Sequence, residues 1–234
     1  MTQTRTETIA LTDGSDIRVT VAEPEDPPRG GLVLLHDSSG AGESLRKLVG
    51  VLATEGWLTV APHLPLAAGG PPDIDEPDAE PAAAGTVPTT AADLLVDVDA
   101  VSVWLTDQGV QADQIGLLGF GFGGVAAFTV AATRSVGAVV TVSAGGIVEP
   151  AAPGLAPLAD IASELSSPWL GIYGDQDAEI SVEQVEKLRE SAAGAQIAVD
   201  VVRFEDADHR FDNDQEAAAE AWQRTLNWFD AHLR

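Results

Sequence analysis

The sequence contains no cysteine among its 234 residues. That excludes disulfides, Cys-ligated zinc, iron–sulfur clusters and a catalytic thiol. Basic charge is scarce: 12 Lys and Arg stand against 37 Asp and Glu, a formal net charge of −25, and Lys47 and Lys187 are the only lysines. A field of that sign repels phosphate backbones and anionic lipid, so neither nucleic acid nor a membrane surface is expected as a partner. The acidity reads as a solvating surface of the kind salt-adapted chains carry. No apolar run reaches the ~18 residues of a membrane span. The opening MTQTRTETIALTDG lacks the apolar core of a signal peptide, so a cytoplasmic location is expected. The hydrophobic share, 45%, is that of a globular chain, and the length suits one domain over residues 1–234.

Short β-rich runs alternate with helical ones, the pattern of an α/β fold with a mostly parallel twisted sheet and helices on both faces. Thr8–Leu11 and Ile17–Ala22 predict an opening hairpin around Asp13-Gly14. Gly31–Leu35, GLVLL, is continuously apolar, as a strand buried on both sides should be. Strands are expected at Leu58–Ala61, Ile115–Leu118, Ala138–Val142, Leu170–Tyr173 and Ala198–Phe204. Apolar residues at helical spacing predict helices over Ala91–Asp107, Val182–Ala192 and about Gln215–Leu233. In the last of these Trp222 and Phe229 read as core, and His232 as surface. Residues 67–90 hold five prolines, five acids and no base. Such a stretch predicts a surface loop or a lid, because it has little apolar area to bury. Residues 145–158, also irregular, form a candidate second wall.

Ile115–Leu118 runs into Gly119-Phe120-Gly121-Phe122-Gly123-Gly124 and then a helix over Val125–Ala132. Two motifs fit. The dinucleotide fingerprint G-x-G-x-x-G is met by Gly119, Gly121 and Gly124 and would make the chain an oxidoreductase. It asks for an acid about 20 residues on to hold ribose, and the next strand, Val139 to Val142, runs into Ser143-Ala144 instead. The nucleophile elbow, G-x-(Ser/Cys)-x-G-G, is met by Gly119, Gly123 and Gly124, with Gly121 where the reactive side chain belongs. Acyl transfer on such a fold needs an acid and then a histidine after the elbow. The acids of Gly174-Asp175-Gln176-Asp177-Ala178-Glu179 follow one strand, and Asp208-His209-Arg210 follows the next. Ahead of the elbow, His36-Asp37-Ser38-Ser39 stands where backbone N–H groups supply half of an oxyanion hole. His36, Asp37, His63 and His209 show no ligand spacing, so no metal and no cofactor are expected.

As a set, HDSSG, APHLP, GFGFGG, YGDQD and DADHRF resemble the dienelactone hydrolase family over nearly the whole chain, from about Ile9 to Leu233. The resemblance implies an α/β-hydrolase fold and an ester- or lactone-directed hydrolase. It implies that Asp177 is the triad acid, His209 the base, and the N–H groups of Ser38 and Phe122 the oxyanion hole, with Asp37 the acid that follows the first buried strand. Three departures stand out. Gly121 replaces the family's cysteine or serine. His63 stands where the family has aspartate. The arginines that bind the carboxylate of dienelactone have no counterpart, although Arg210 neighbours the histidine. His36, Asp37, His63 and Arg210 are the expected pocket residues. The expected partner is a small-molecule ester or lactone, handled by a monomer or homodimer. Three activities remain open at this point: a pseudoenzyme with impaired chemistry, a hydrolase in which His209 activates water, and the dinucleotide-binding oxidoreductase. Ser38 or Ser39 as a relocated nucleophile is a further variant of the second.

Overall fold

A computed structural model describes residues 3–11, 14, 16–36, 41–63, 90–211 and 213–233. The expected hairpin opens the chain as β1 (Thr4–Ala10) and β2 (Asp16–Ala22), paired antiparallel from Thr4↔Ala22 to Ala10↔Asp16. β3 (Gly31–Leu35) leads through α1 (Ala41–Thr54) to β4 (Leu58–Pro62). α2 (Ala91–Asp107) returns the chain to β5 (Ile115–Phe120), and α3 (Phe122–Thr133) carries it to β6 (Ala138–Val142). The short α4 (Leu158–Ile161) precedes β7 (Trp169–Gly174). α5 (Val182–Ala192), β8 (Val199–Phe204) and α6 (Gln215–His232) complete the series. The eight strands form one sheet, ordered β1-β2-β4-β3-β5-β6-β7-β8 and parallel from β4 through β8.

Every residue of β3 and β4 is buried, as helices on both faces require. One face packs Leu94, Val98, Phe128, Val185 and Leu188 of α2, α3 and α5. The other packs Leu45, Val49 and Leu52 of α1 with Ala221 and Phe229 of α6. Chain order explains the division. β3 steps to β4 in one direction along the sheet, and β4 steps back past β3 to β5 in the other. With right-handed crossovers these two connections must lie on opposite faces. The reversal leaves a crevice between the carboxyl ends of β3 and β5, the general place for a ligand in an open α/β sheet.

Two details differ from the sequence reading. α1 is a helix that the sequence reading left unassigned, although Leu45, Val49 and Leu52 repeat at helical spacing. His232 is half-buried rather than on the surface, its ring 4.4 Å from that of Trp228. Of the acidic stretch 67–90, only Thr90 is described. It caps α2 reciprocally: its Oγ1 accepts from the Asp93 N–H at 3.3 Å, and its own N–H donates to the Asp93 carboxylate at 2.9 Å. That backbone bond holds the Asp93 carboxyl below the usual carboxylate range.

Candidate active site

The strand-to-helix turn is built by contact. A Cβ on Gly119 would lie 2.4 Å from the Gly123 carbonyl oxygen, and one on Gly123 would lie 2.3 Å from the Leu35 carbonyl. One on Gly124 would meet the Ala144 Cβ at 2.9 Å. These three glycines let α3 press against the ends of β3 and β6. Gly121 is glycine for another reason. Its φ of 52° and ψ of −121° lie in a region that L side chains occupy only under strain. The Gly121 N–H donates to the Val142 carbonyl at 3.0 Å, and its own carbonyl accepts from Gly124 and Val125. Phe122 opens α3, so its N–H has no acceptor four residues back within the helix.

Asp177 and His209 come together. The Asp177 side chain is 1% exposed. Its Oδ1 accepts from the N–H groups of Glu179 at 2.7 Å and Ile180 at 3.0 Å, and its Oδ2 meets His209 Nδ1 at 2.6 Å. A carboxylate at Nδ1 holds the proton there and leaves Nε2 with its lone pair, the arrangement of a general base. The two loops are stitched along their backbones: Gln176 N–H donates to the Ala207 carbonyl at 2.9 Å, and its side-chain amide to the Glu205 carbonyl. Arg203 bonds both Asp175 oxygens, at 2.8 and 2.7 Å, and also Glu186. Those hydrogen bonds raise its pKa above the ordinary arginine value. Beneath them, burial pushes the Tyr173 phenol well above its usual range, and the Asp177 charge adds to the effect.

Ser143 and Asn213, which the sequence reading had not singled out, hold the histidine loop. Ser143, buried and at a positive φ of 50°, donates from Oγ to the His209 carbonyl at 2.7 Å. The Asn213 side chain accepts from the Asp208 N–H and donates to the Asp206 carbonyl. Phe211 takes a φ of 58° and packs edge-on against Phe204.

Two cavities meet at this place. One of about 370 Å³ is lined by His36, Phe120, Gly121, Ser143, His209 and Arg210, with Ser44, Leu45 and Leu48 of α1 and Ala218, Ala221 and Trp222 of α6 among its walls. The other, about 340 Å³, has Gly121, Phe122, Ser143, Gly145, Ile147, Ile180 and His209 among its walls. Gly145, Gly146, Ile147 and Ala151, from the stretch 145–158 expected as a second wall, line this cavity. Trp222, read from the sequence as core, is half-buried and borders the first cavity. His63 follows the carboxyl end of β4, and its Nε2 lies 2.9 Å from Thr20 Oγ1 on β2. Asp37 and Ser38 lie outside the described residues. A nucleotide whose phosphates rested on the glycine turn would need the space beside Gly121, and there His209 shares the walls of both cavities.

The family model described as "Dienelactone hydrolase family" matches residues 17–233. A Salmonella typhimurium protein named "Putative carboxymethylenebutenolidase" is 30% identical over 231 residues, covering 92% of this chain and 83% of the relative. An Escherichia coli protein of the same name is 30% identical, covering 87% and 78%. The crystal structure titled "Putative Dienelactone Hydrolase" from Klebsiella pneumoniae superposes with a TM-score of 0.77 at 29% identity, over 97% of this chain and 99% of that one. An esterase of Pyrococcus furiosus shares the fold at a TM-score of 0.73 and 18% identity, over 100% of this chain and 94% of that one. The sheet, the elbow and these likenesses agree: the fold is that of the α/β-hydrolases, and the chain belongs to the dienelactone hydrolase family.

Proposed function

We propose that this chain is a carboxylic ester or lactone hydrolase from which the covalent step has been removed: small esters bind over Gly121, and water activated by His209 carries what hydrolysis remains. One observation supports this above the others. The imidazole, held by a nearly inaccessible Asp177 at 2.6 Å, opens on the same two cavities as the glycine that stands in the nucleophile's place.

The step runs as follows. His209 Nε2 takes a proton from water as the water oxygen attacks the ester carbonyl carbon. The developing oxyanion is met by the Phe122 N–H and, by resemblance, that of Ser38. The intermediate then expels the alcohol oxygen, which receives the proton from Nε2, leaving an acid and an alcohol. The oxyanion hole and substrate binding of a triad enzyme without its nucleophile retain roughly 10³–10⁴-fold acceleration over water. The chain is therefore an impaired enzyme, close to a pseudoenzyme, with ligand binding as its stronger property. A cytoplasmic location and a monomeric or dimeric state go with this reading.

Kinetics of p-nitrophenyl acetate hydrolysis test it. We expect slow turnover without a burst, insensitive to thiol- and serine-directed reagents, that drops in His209→Ala to the smaller residual sustained by binding and the oxyanion hole alone. Turnover undiminished in His209→Ala, or covalent labelling of Ser38, would remove the water mechanism.

A further inference from the structure

The two cavities at Gly121 belong to opposite faces of the sheet. Leu45, Phe211 and Ala221 of the first are part of the core shared by α1 and α6. Val125, Ile147 and Ile180 of the second are part of the core under α3, α4 and α5. The residues common to both are Gly121, Ser143 and His209, which form a saddle at the carboxyl edge of β5 and β6. Each cavity is near the lower end of the size of ordinary ligand sites, so together they offer room for two separate groups rather than one bulky ring.

Their linings differ in charge. The first has apolar walls at Leu45, Leu48, Phe120, Phe211 and Trp222, with the exposed Arg210 as its charged group. The second has apolar walls at Phe122, Val125, Ile147 and Ile180 and backbone at Gly145 and Gly146, with the exposed Glu179 as its charged group. A carboxylate at the rim disfavours an anionic group there.

Resting on the reading of this place as a hydrolase site, we propose that the ligand is an acyclic ester with two arms that straddle the elbow. An aryl-sized apolar arm lies between α1 and α6, and an arm without negative charge lies between α3, α5 and residues 145–151. The ester carbonyl sits between them over Gly121. A lactone ties both arms into one ring and leaves one cavity unused, so the structure favours open-chain esters over the lactones for which the family is named.

Binding separates the alternatives without relying on turnover. A hydrolysis-resistant ketone isostere of naphthyl propionate and valerolactone are titrated calorimetrically into the wild type, Ala218→Phe and Gly145→Leu. Ala218 is a half-buried wall of the first cavity. Gly145 lines the second, where an added Cβ meets nothing within 4 Å. Circular dichroism melts confirm that each variant folds. Each substitution is expected to weaken the ketone about tenfold or more, the scale of misfitting an apolar group in a shaped pocket, while valerolactone feels at most one of them. A ketone that does not bind the wild type, a ketone indifferent to either substitution, or a lactone weakened by both, overturns the proposal. The hydrolase reading is scored apart, by p-nitrophenyl acetate turnover in Gly121→Ser. Turnover there with indifferent ketone binding discards only the two-armed ligand. No turnover with ketone binding sensitive to both cavities discards only the hydrolase.

Discussion

At the scale of single residues, the candidate site combines a turn that only glycine takes without strain with the hydrogen-bonded pair Asp177 and His209. Gly121 keeps a φ of 52° and a ψ of −121°, which glycine adopts freely and other residues adopt at a cost of about 1–3 kcal/mol. Gly121→Ser should therefore melt at a lower temperature than the wild type even as it supplies a reactive oxygen. A variant as stable as the wild type would mean that the turn relaxes around a side chain. Ser143 makes a second test. Its hydroxyl is the donor to the His209 carbonyl at 2.7 Å, and removing it leaves a poorly solvated acceptor, a loss of about 1–3 kcal/mol. In the Gly121→Ser background, Ser143→Ala should lower kcat more than it raises KM, because the imidazole loses its support. Equal effects on both would make Ser143 a binding residue instead. The catalytic candidates Asp177 and His209 were legible in the sequence because each follows a strand end in the required order. Ser143 was hidden: nothing in its neighbourhood of the sequence marks a positive φ or a bond to a loop 66 positions away.

Elements were legible where burial is two-sided or the apolar stripe is regular. GLVLL is buried throughout as β3, and α2 and α5 occupy the spans read from their periodicity. Other boundaries moved for physical reasons. β1 begins at Thr4 rather than Thr8 because its polar N-terminal half is held by pairing with β2, a partner that apolar content does not announce. α1 was missed because Gly42 and Gly50 lower its helix propensity; tertiary burial of Leu45, Val49 and Leu52 overrides them. The cavity walls on α1 and α6 were illegible for a related reason. An amphipathic stripe shows which side faces inward, but not where the inward side borders a gap. Two substitutions probe this scale. Leu52→Ala, in a fully buried position, should cost about 2–5 kcal/mol in urea unfolding; a loss below 1 kcal/mol would show that α1 is weakly coupled to the sheet. Thr90→Ala should cost about 1 kcal/mol by removing the α2 cap. The Asp93 part of that cap has a pH signature. Its pKa is lowered in the folded state, so its contribution is complete above the unfolded value and fades as pH falls through the folded one. The difference in stability between Asp93→Ala and the wild type should accordingly shrink in acid; a difference that grows on acidification contradicts the cap.

Across the whole molecule, charge and topology act separately. With 37 acids and 12 bases, most carboxylates have no cation available to pair with. Self-repulsion then opposes compaction and salt relieves it. The melting temperature should rise as sodium chloride is raised toward about 1 M, where the screening length is ~3 Å; a flat or falling profile would mean that the acids are locally compensated. Topology does the rest. The reversal at β3 and β5 opens the crevice, and the ends of β7 and β8 carry Asp177 and His209 to its rim. The proposed function requires a working acid–base pair above a turn that lacks only a nucleophile. Restoring that atom is the direct measurement: p-nitrophenyl acetate turnover by Gly121→Ser and Gly121→Cys, each with and without His209→Ala. A rise of at least a hundredfold over the wild type, abolished by His209→Ala, is predicted, within the scale of a working triad. No rise in either variant, or a rise that persists without the imidazole, contradicts it.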